Sequence, residues 1–315
     1  MIFKITKAED GHILRSFLKQ TLGISTHTLS RLKAKENGIL LNGAHATVRA
    51  LLHEGDTLSL AIEDEQSSKA ILPRPLPIDI LYEDEAITVA FKPTDMPTHP
   101  SHGHFEDTLA NALAYRYRDT PFVFRAITRL DRETSGAVLV ARNPLSANAL
   151  SLAMKAGNIQ KSYFALVHGE TPAYGRIAYP IRRKEGSVML REISKDGARA
   201  ETLYRTLGSS GGYSLVAVYP LTGRTHQIRL HFSSIGHPLC GDALYGREGD
   251  GFARTMLHAS RLSFLHPQKK TPLSVFAPPA GDLAEALTTC ALPLPTEEDA
   301  LPDEALLAAL AQNEG

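Results

Sequence analysis

Four clusters of side chains in this 315-residue chain have the types and spacing that chemistry needs. The first is Thr128-Arg129-Leu130-Asp131-Arg132-Glu133-Thr134-Ser135-Gly136. It sets a carboxylate between two arginines, and opposite charges close by favour its ionised form. An ionised, positioned carboxylate serves as a nucleophile or a base. A surface ion-pair cluster ahead of a strand has the same composition. The second cluster is Leu221-Thr222-Gly223-Arg224-Thr225-His226-Gln227-Ile228-Arg229-Leu230-His231. Gly223 permits a tight entry into a helix, and His226 and Arg229, three apart, share a face. Such a face meets phosphates or pairs with a buried carboxylate. The plainer reading is a helix with a polar side, and His231 as a satisfied interior histidine. The third cluster is Lys161-Ser162-Tyr163-Phe164-Ala165-Leu166-Val167-His168-Gly169. In a strand, Lys161, Tyr163 and Ala165 lie on one face. A cleft-facing tyrosine can stack on a base and exchange a proton, whereas a core tyrosine does neither. The fourth is His99-Pro100-Ser101-His102-Gly103-His104, whose three histidines invite a zinc reading. Their spacing fits no common zinc site, so loop histidines and no metal are the expectation.

These clusters need elements to hold them. Lys161 to His168 and Tyr213 to Tyr219 read as strands, and Ala137 to Ala141 as a short apolar one. Thr225 to Ile235 reads as a helix closed by Gly236. Asn143-Pro144 fits a helix start, with Asn as N-cap and Pro in the first turn, and that helix runs to about Gly157. Phe105 to Tyr117 looks helical. Ile80-Leu81-Tyr82 and Ala86 to Phe91 read as a hairpin. Helices and strands do not alternate regularly, so the pattern predicts a mixed α+β fold rather than a doubly wound parallel sheet.

The first 62 residues read as a separate small module. Ile13, Leu14, Phe17, Leu18 and Leu22 recur at helical spacing. A second helix, from about His27 to Asn37, carries Arg31, Lys33 and Lys35 and ends at Gly38 as a C-terminal cap. Ile39 to Leu41, an Asn42-Gly43 turn and Thr57 to Ile62 supply strands. Residues 63–77, polar and then proline-rich, read as a linker. A larger domain occupies 78–280, and 281–315 form an acidic tail with a helical stretch, Glu304 to Leu310.

The formal net charge is zero, yet unevenly spread. Residues 121–240 carry sixteen basic and seven acidic side chains, whereas residues 281–315 carry eight acidic and no basic ones. A basic middle of this kind marks a polyanion-binding surface or simply scattered charge. Hydrophobic residues at 43% and charged residues at 22% exclude a disordered or fibrous chain. No apolar run is long enough for a membrane helix. The N-terminus lacks the apolar core of a signal peptide, and two cysteines, Cys240 and Cys290, cannot form a disulfide framework. A reducing cytoplasm is the simplest compartment.

Taken together, the clusters resemble the RluA-type RNA pseudouridine synthase family over roughly residues 78–280. Arg129 to Gly136 resembles its catalytic motif, Lys161-Ser162-Tyr163 its second motif, and Thr222 to His231 with Gly236-His237-Pro238-Leu239 and Gly241-Asp242 its third. Lys92-Pro93 with Thr98-His99-Pro100 resembles the opening motif, and Leu257-His258-Ala259 with His266-Pro267 a closing one. Five motifs in the family's order make a specific signal. Residues 1–62 resemble, more loosely, an S4-type RNA-binding module. One position departs: members usually carry histidine before the arginine of the catalytic motif, and here it is Thr128.

The resemblance implies a mixed, largely antiparallel sheet with flanking helices and a reaction that turns a uridine of ribosomal or transfer RNA into pseudouridine. It implies Asp131 as the catalytic carboxylate, Arg224 as its ion-pair partner, and Tyr163 stacked on the base and assisting proton removal from carbon 5. It implies Arg129, Lys161, His226 and Arg229 as RNA contacts in the catalytic domain, and Arg31, Lys33 and Lys35 as phosphate contacts in the module. No cofactor or metal is needed, and a monomer is the default. Competing readings are a non-catalytic RNA-binding relative acting in ribosome assembly, and a metal-dependent hydrolase using the histidine loop.

Overall fold

The structure is a computed structural model that describes residues 1–24, 26–62, 70–187, 189–303 and 306. Most of the expected linker's polar half (63–69) lies outside these residues, as does the expected helix at 304–310 apart from Leu306.

The N-terminal module is a four-stranded antiparallel sheet with two helices. Its elements are β1 (Ile2–Lys4), α1 (Leu14–Ser16, continuing as a π-helical turn over Phe17–Thr21), α2 (Thr26–Ala34), β2 (Ile39–Leu41), β3 (Ala44–His45) and β4 (Thr57–Leu60). The spatial order is β1-β4-β2-β3. Leu14, Phe17, Leu18, Leu29, Leu32 and Leu58 form its core, and Leu145 of the larger domain joins it. Asn42 (φ 53°) and Gly43 (φ 81°) make the tight turn expected between β2 and β3. The second helix stops at Ala34, short of the expected Asn37, which leaves Lys35 beyond its end. Gly38 is not its left-handed cap. The chain turns back there so closely that a Cβ would run into the Leu32 carbonyl.

The larger domain is built on a nine-stranded sheet. Its elements in chain order are β5 (Asp79–Glu83), β6 (Ile87–Lys92), α3 (Leu109–Arg116), β7 (Ser135–Ala141), α4 (Pro144–Lys155), β8 (Gln160–His168), β9 (Tyr174–Ile177), β10 (Ile181–Arg183), β11 (Arg191–Ile193), β12 (Thr202–Ser210), β13 (Tyr213–Pro220), α5 (Gln227–Ser234), β14 (Leu257–Leu265), β15 (Pro272–Phe276) and α6 (Gly281–Thr289). The sheet runs β5-β6-β7-β14-β8-β13-β12-β9, with β15 also paired to β14. The pairing of β7 with β14 is parallel and the others in this sheet are antiparallel. Strands β10 and β11 form a separate antiparallel hairpin. The fold is therefore the mixed, largely antiparallel α+β architecture expected.

The parallel contact between β7 and β14 is tight. Gly136 (φ +114°) faces Ala259, and a Cβ there would drive into the Ala259 backbone. Only glycine combines that φ with that approach. Helix α3 starts at Leu109 rather than at Phe105, because Thr108 and Asn111 form a capping box. Asn143 caps α4 with Pro144 in its first turn, as expected. The acidic C-terminal stretch is docked as far as it is described. Leu283, Leu287, Leu292 and Ala300 pack with Phe164, Leu166 and Leu215. Asp299 and Asp303 lie 3.7 and 3.2 Å from the guanidinium of Arg205, and Glu297 lies 3.1 Å from that of Arg261.

Candidate active site

Asp131 sits in the loop that enters β7, and its backbone is fixed from three sides. Thr98 Oγ1 accepts the Leu130 N–H at 3.1 Å and donates to the Leu130 carbonyl at 3.0 Å. Lys92, fully buried at the end of β6, donates from Nζ to the carbonyls of Pro93 (2.8 Å), Met96 (2.7 Å) and Arg132 (3.0 Å). Arg254 donates to the Glu133 carbonyl at 3.1 Å and is itself held by both oxygens of Asp282. Burial, then the charge of Arg254, pull the Lys92 ammonium down to about 7. Thr128, at the position of the expected histidine, accepts the Leu139 N–H at 2.9 Å and so ties the loop to β7.

The opposite wall is the turn into α5. Gln227 locks it by accepting from Thr222 Oγ1 (2.7 Å) and the Arg224 N–H (3.0 Å), while its amide donates to the Glu201 carbonyl and Thr202 Oγ1. His226, the residue before the helix, is left-handed (φ 57°), so α5 begins at Gln227 rather than at Thr225. Arg229 lies one turn in. Its guanidinium makes a two-pronged bond to Asp242, at 2.7 Å from Nε and 2.6 Å from Nη2. Its remaining nitrogen, Nη1, faces Asp131 Oδ2 at 3.7 Å, and His226 Nε2 faces the same oxygen at 3.9 Å. Burial works against the Arg229 charge, but the hydrogen bonds and charge of Asp242, with the charge of Asp131, raise its pKa above the ordinary value. Between the two walls lies a cavity of about 270 Å³, lined by Asp131, Tyr163, Lys161, Arg129, Arg224 and His226 among others.

Comparison with known proteins decides what this cavity belongs to. Residues 86–234 match the family model described as RNA pseudouridylate synthase. A Bacillus subtilis protein titled an uncharacterised RNA pseudouridine synthase is 38% identical over 84% of this chain and 95% of its own. The ribosomal large subunit pseudouridine synthase D of Xylella fastidiosa is 34% identical over 80% of this chain and 81% of its own. The chain belongs to the RNA pseudouridylate synthase family. Its activity is that of an RNA pseudouridine synthase, an isomerase acting on RNA. The structure of the human RNA pseudouridylate synthase domain containing 1 has the same fold, with a TM-score of 0.58 and 27% identity over 75% of this chain and 95% of that one.

In this synthase the residues singled out from sequence converge only in part. Asp131, Tyr163, Lys161, Arg129, Arg224, His226 and Arg229 all line one cavity. The expected pairing of Asp131 with Arg224 is not what the structure holds. Arg224 precedes the left-handed residue, is exposed, and donates from Nε to the Arg199 carbonyl at 3.0 Å. The pairing falls to Arg229, which the helix buries and Asp242 aims. Tyr163 is half-buried on β8, and burial, with the charge of Asp131, raises its phenol pKa above the ordinary value. Burial lowers the Lys161 ammonium pKa. Arg129 reaches across the cavity mouth to Thr225 Oγ1 at 3.2 Å. Arg31 and Lys33 are exposed on α2, in the module and outside the cavity lining. His231 is the satisfied interior histidine, bonded to Thr202 Oγ1 and the Tyr179 carbonyl, each at 2.9 Å.

Sequence reasoning assigned no role to Asp242, Gln227, Tyr245 or Lys92. The signal for Asp242 lay in Arg229 itself, since a buried arginine needs a carboxylate. Among the described residues, the histidine loop gathers no ligand cluster: His104 bonds Asp107 at 2.6 Å, and His99 packs edge-on against Phe124. His168, Cys240 and Asp250 do bring ligand atoms within 4.8 Å of one another. Asp250, however, already accepts from His168 and from the Gly241 and Phe252 backbone, which makes it a loop anchor.

Proposed function

We propose that this synthase isomerises uridines of large-subunit ribosomal RNA, with Asp131 as the carboxylate that acts on the ribose of the flipped nucleotide. The observation that carries the residue assignment is the position of Asp131, at the cavity wall with one oxygen faced by Arg229 and His226. The base must leave its ribose, turn and rejoin through carbon 5, and chemistry on a base requires taking it out of the stack. Arg229 keeps the carboxylate charged and aimed, and Tyr163 offers its ring face to the uracil. Lys161, Arg129 and Arg224 surround the flanking phosphates. The rearrangement moves atoms within one nucleotide and needs no metal or organic cofactor. The choice of ribosomal RNA rests on relatives such as those of Xylella fastidiosa and Vibrio parahaemolyticus, which are titled ribosomal large subunit pseudouridine synthase D.

The S4-like module, residues 1–62, anchors the RNA through phosphate contacts from Arg31, Lys33 and Lys35. The same reading has the enzyme working as a cytoplasmic monomer, with its two cysteines, Cys240 and Cys290, free. The test is tritium release from RNA labelled at carbon 5 of uridine. Release from large-subunit ribosomal RNA by wild type, and none by Asp131→Asn with RNA binding retained, is the expected result. Release from transfer RNA alone overturns the substrate, and activity of Asp131→Asn overturns the role of the aspartate.

A further inference from the structure

We propose that the acidic segment from Gly281 to Asp303 is an electrostatic guard that keeps RNA off the back of the sheet and leaves the cavity face as the surface where RNA is held. The inference rests on RNA entering at the cavity of Asp131.

The two faces of the sheet carry opposite charge. Side chains alternate along β8. Lys161 and Tyr163 turn to the cavity, whereas Phe164 and Leu166 pack on the other side with Leu283, Leu287, Leu292 and Ala300. The cavity lining holds Arg129, Lys161, Arg224 and Arg229 against one carboxylate, Asp131. Residues 281–315, which supply the cover on the back, hold eight acidic and no basic side chains.

These acids do two things there. First, they occupy arginines that would otherwise take phosphates. Arg205 of β12 lies 3.7 Å from Asp299 and 3.2 Å from Asp303, and donates to the Asp299 carbonyl at 3.3 Å. Arg261 of β14 lies 3.1 Å from Glu297, and its side chain is left 11% exposed. A bare guanidinium offers a planar fork of donors that fits a phosphate, so an uncovered back would compete with the cavity for RNA. Second, the segment carries more negative charge than those pairs use. Glu285 and Glu298 are exposed, and the Glu297 side chain is itself 60% exposed. No lysine or arginine of the segment offsets them. An ordinary solvated face mixes both signs. A phosphate chain approaching from this side meets repulsion within a Debye length, about 10 Å at 0.1 M salt.

The whole chain has no net charge, so its attraction for RNA cannot come from the total. It comes from where the signs lie, and the guard sharpens that separation. RNA that meets the back is turned away, and RNA that meets the front finds the basic cavity wall.

The test is the variant Glu285→Gln, Glu297→Gln, Glu298→Gln, which keeps side-chain shape and leaves the pairs of Asp282, Asp299 and Asp303 in place. The probe is polyadenylate, which holds no uridine. One added phosphate contact changes affinity about threefold between 50 and 200 mM salt. The variant is expected to bind polyadenylate about threefold more tightly than wild type at low salt, with a salt slope steeper by about 0.7. Its kcat for tritium release from RNA labelled at carbon 5 of uridine stays at the wild-type value. Polyadenylate added to that assay inhibits the variant more strongly than wild type. Adding Arg261→Gln to the variant removes most of the gain. An unchanged affinity and slope overturn the proposal, and so does a gain left whole by Arg261→Gln, which would place the new contact elsewhere. Crosslinks from wild type to its target RNA on β12 or α6, with none around Asp131, overturn instead the site reading on which this rests.

Discussion

Asp242→Ala should unbrace the Asp131 carboxylate from a distance. The Asp242 side chain is fully buried and makes both short bonds to Arg229, itself 6% exposed. Removing one partner of a buried pair costs about 3–5 kcal/mol, because the other charge stays behind. Asp131, 3.7 Å away, compensates in part, so the expected loss is near the low end, about 3 kcal/mol. Arg229→Met should cost a similar amount, although Asp242 keeps the Leu244 and Tyr245 N–H donors at 2.9 and 3.0 Å. The double variant should cost about 2 kcal/mol less than the sum, since neither charge is then stranded. Urea unfolding of the four proteins measures this cycle, and additive losses would refute the buried-pair reasoning. The pH dependence follows with a definite sign. Burial works to raise the Asp242 carboxyl, but the hydrogen bonds and charge of Arg229 lower it below the ordinary 3.8. Its stabilisation is present above that value and is lost as pH falls through the lower folded value. The gap in stability between wild type and Asp242→Ala should therefore narrow only below about pH 4. Tritium release by Asp242→Ala should fall at least tenfold, as Arg229 swings from its place.

Arg31→Ala with Lys33→Ala should weaken RNA binding and lower the slope of log K against log salt by about 1.5–2, with kcat at saturating RNA unchanged; an unaltered slope removes α2 from the RNA interface. Gly136→Ala should destabilise the fold by about 3 kcal/mol or more, from the collision with Ala259 and the left-handed φ, and a melting temperature near wild type would contradict the tight β7–β14 contact. Tyr163→Phe should keep turnover within about tenfold, because the ring face survives and the phenol is not ionised. A complete loss would make the hydroxyl essential.

Local chemistry was legible wherever a short segment settles its own conformation. The Asn42-Gly43 turn, the Asn143-Pro144 helix start and the left-handed Gly236 after α5 all stand as read. What the sequence could not show was decided across the fold. The face shared by His226 and Arg229 was legible and does meet Asp131, but a helix assumed to begin at Thr225 does not by itself separate Arg229 from Arg224. The left-handed turn at His226 moves the helix start and separates them. Asp242 and Tyr245 arrive from the loop after α5, so no spacing within Thr222 to His231 could announce them. The acidic stretch beyond residue 280 read only as a tail with a helical stretch, because its charges lack local partners. Those partners, Arg205, Arg254 and Arg261, stand on or beside the sheet.

The place of β14 sets an order of events during synthesis. It lies between β7 and β8, strands made about a hundred residues earlier. Until residue 265 has been made, each of those strands presents a bare edge with unpaired backbone groups. Arg254, which steadies the loop of Asp131, gains Asp282 only after β14 is complete. A growing polypeptide thus carries Asp131, Tyr163 and His226 without the frame that brings them together. Modification of RNA must wait until β14 and Asp282 have been made, and a product terminated before them is inert toward RNA chemistry rather than partly active.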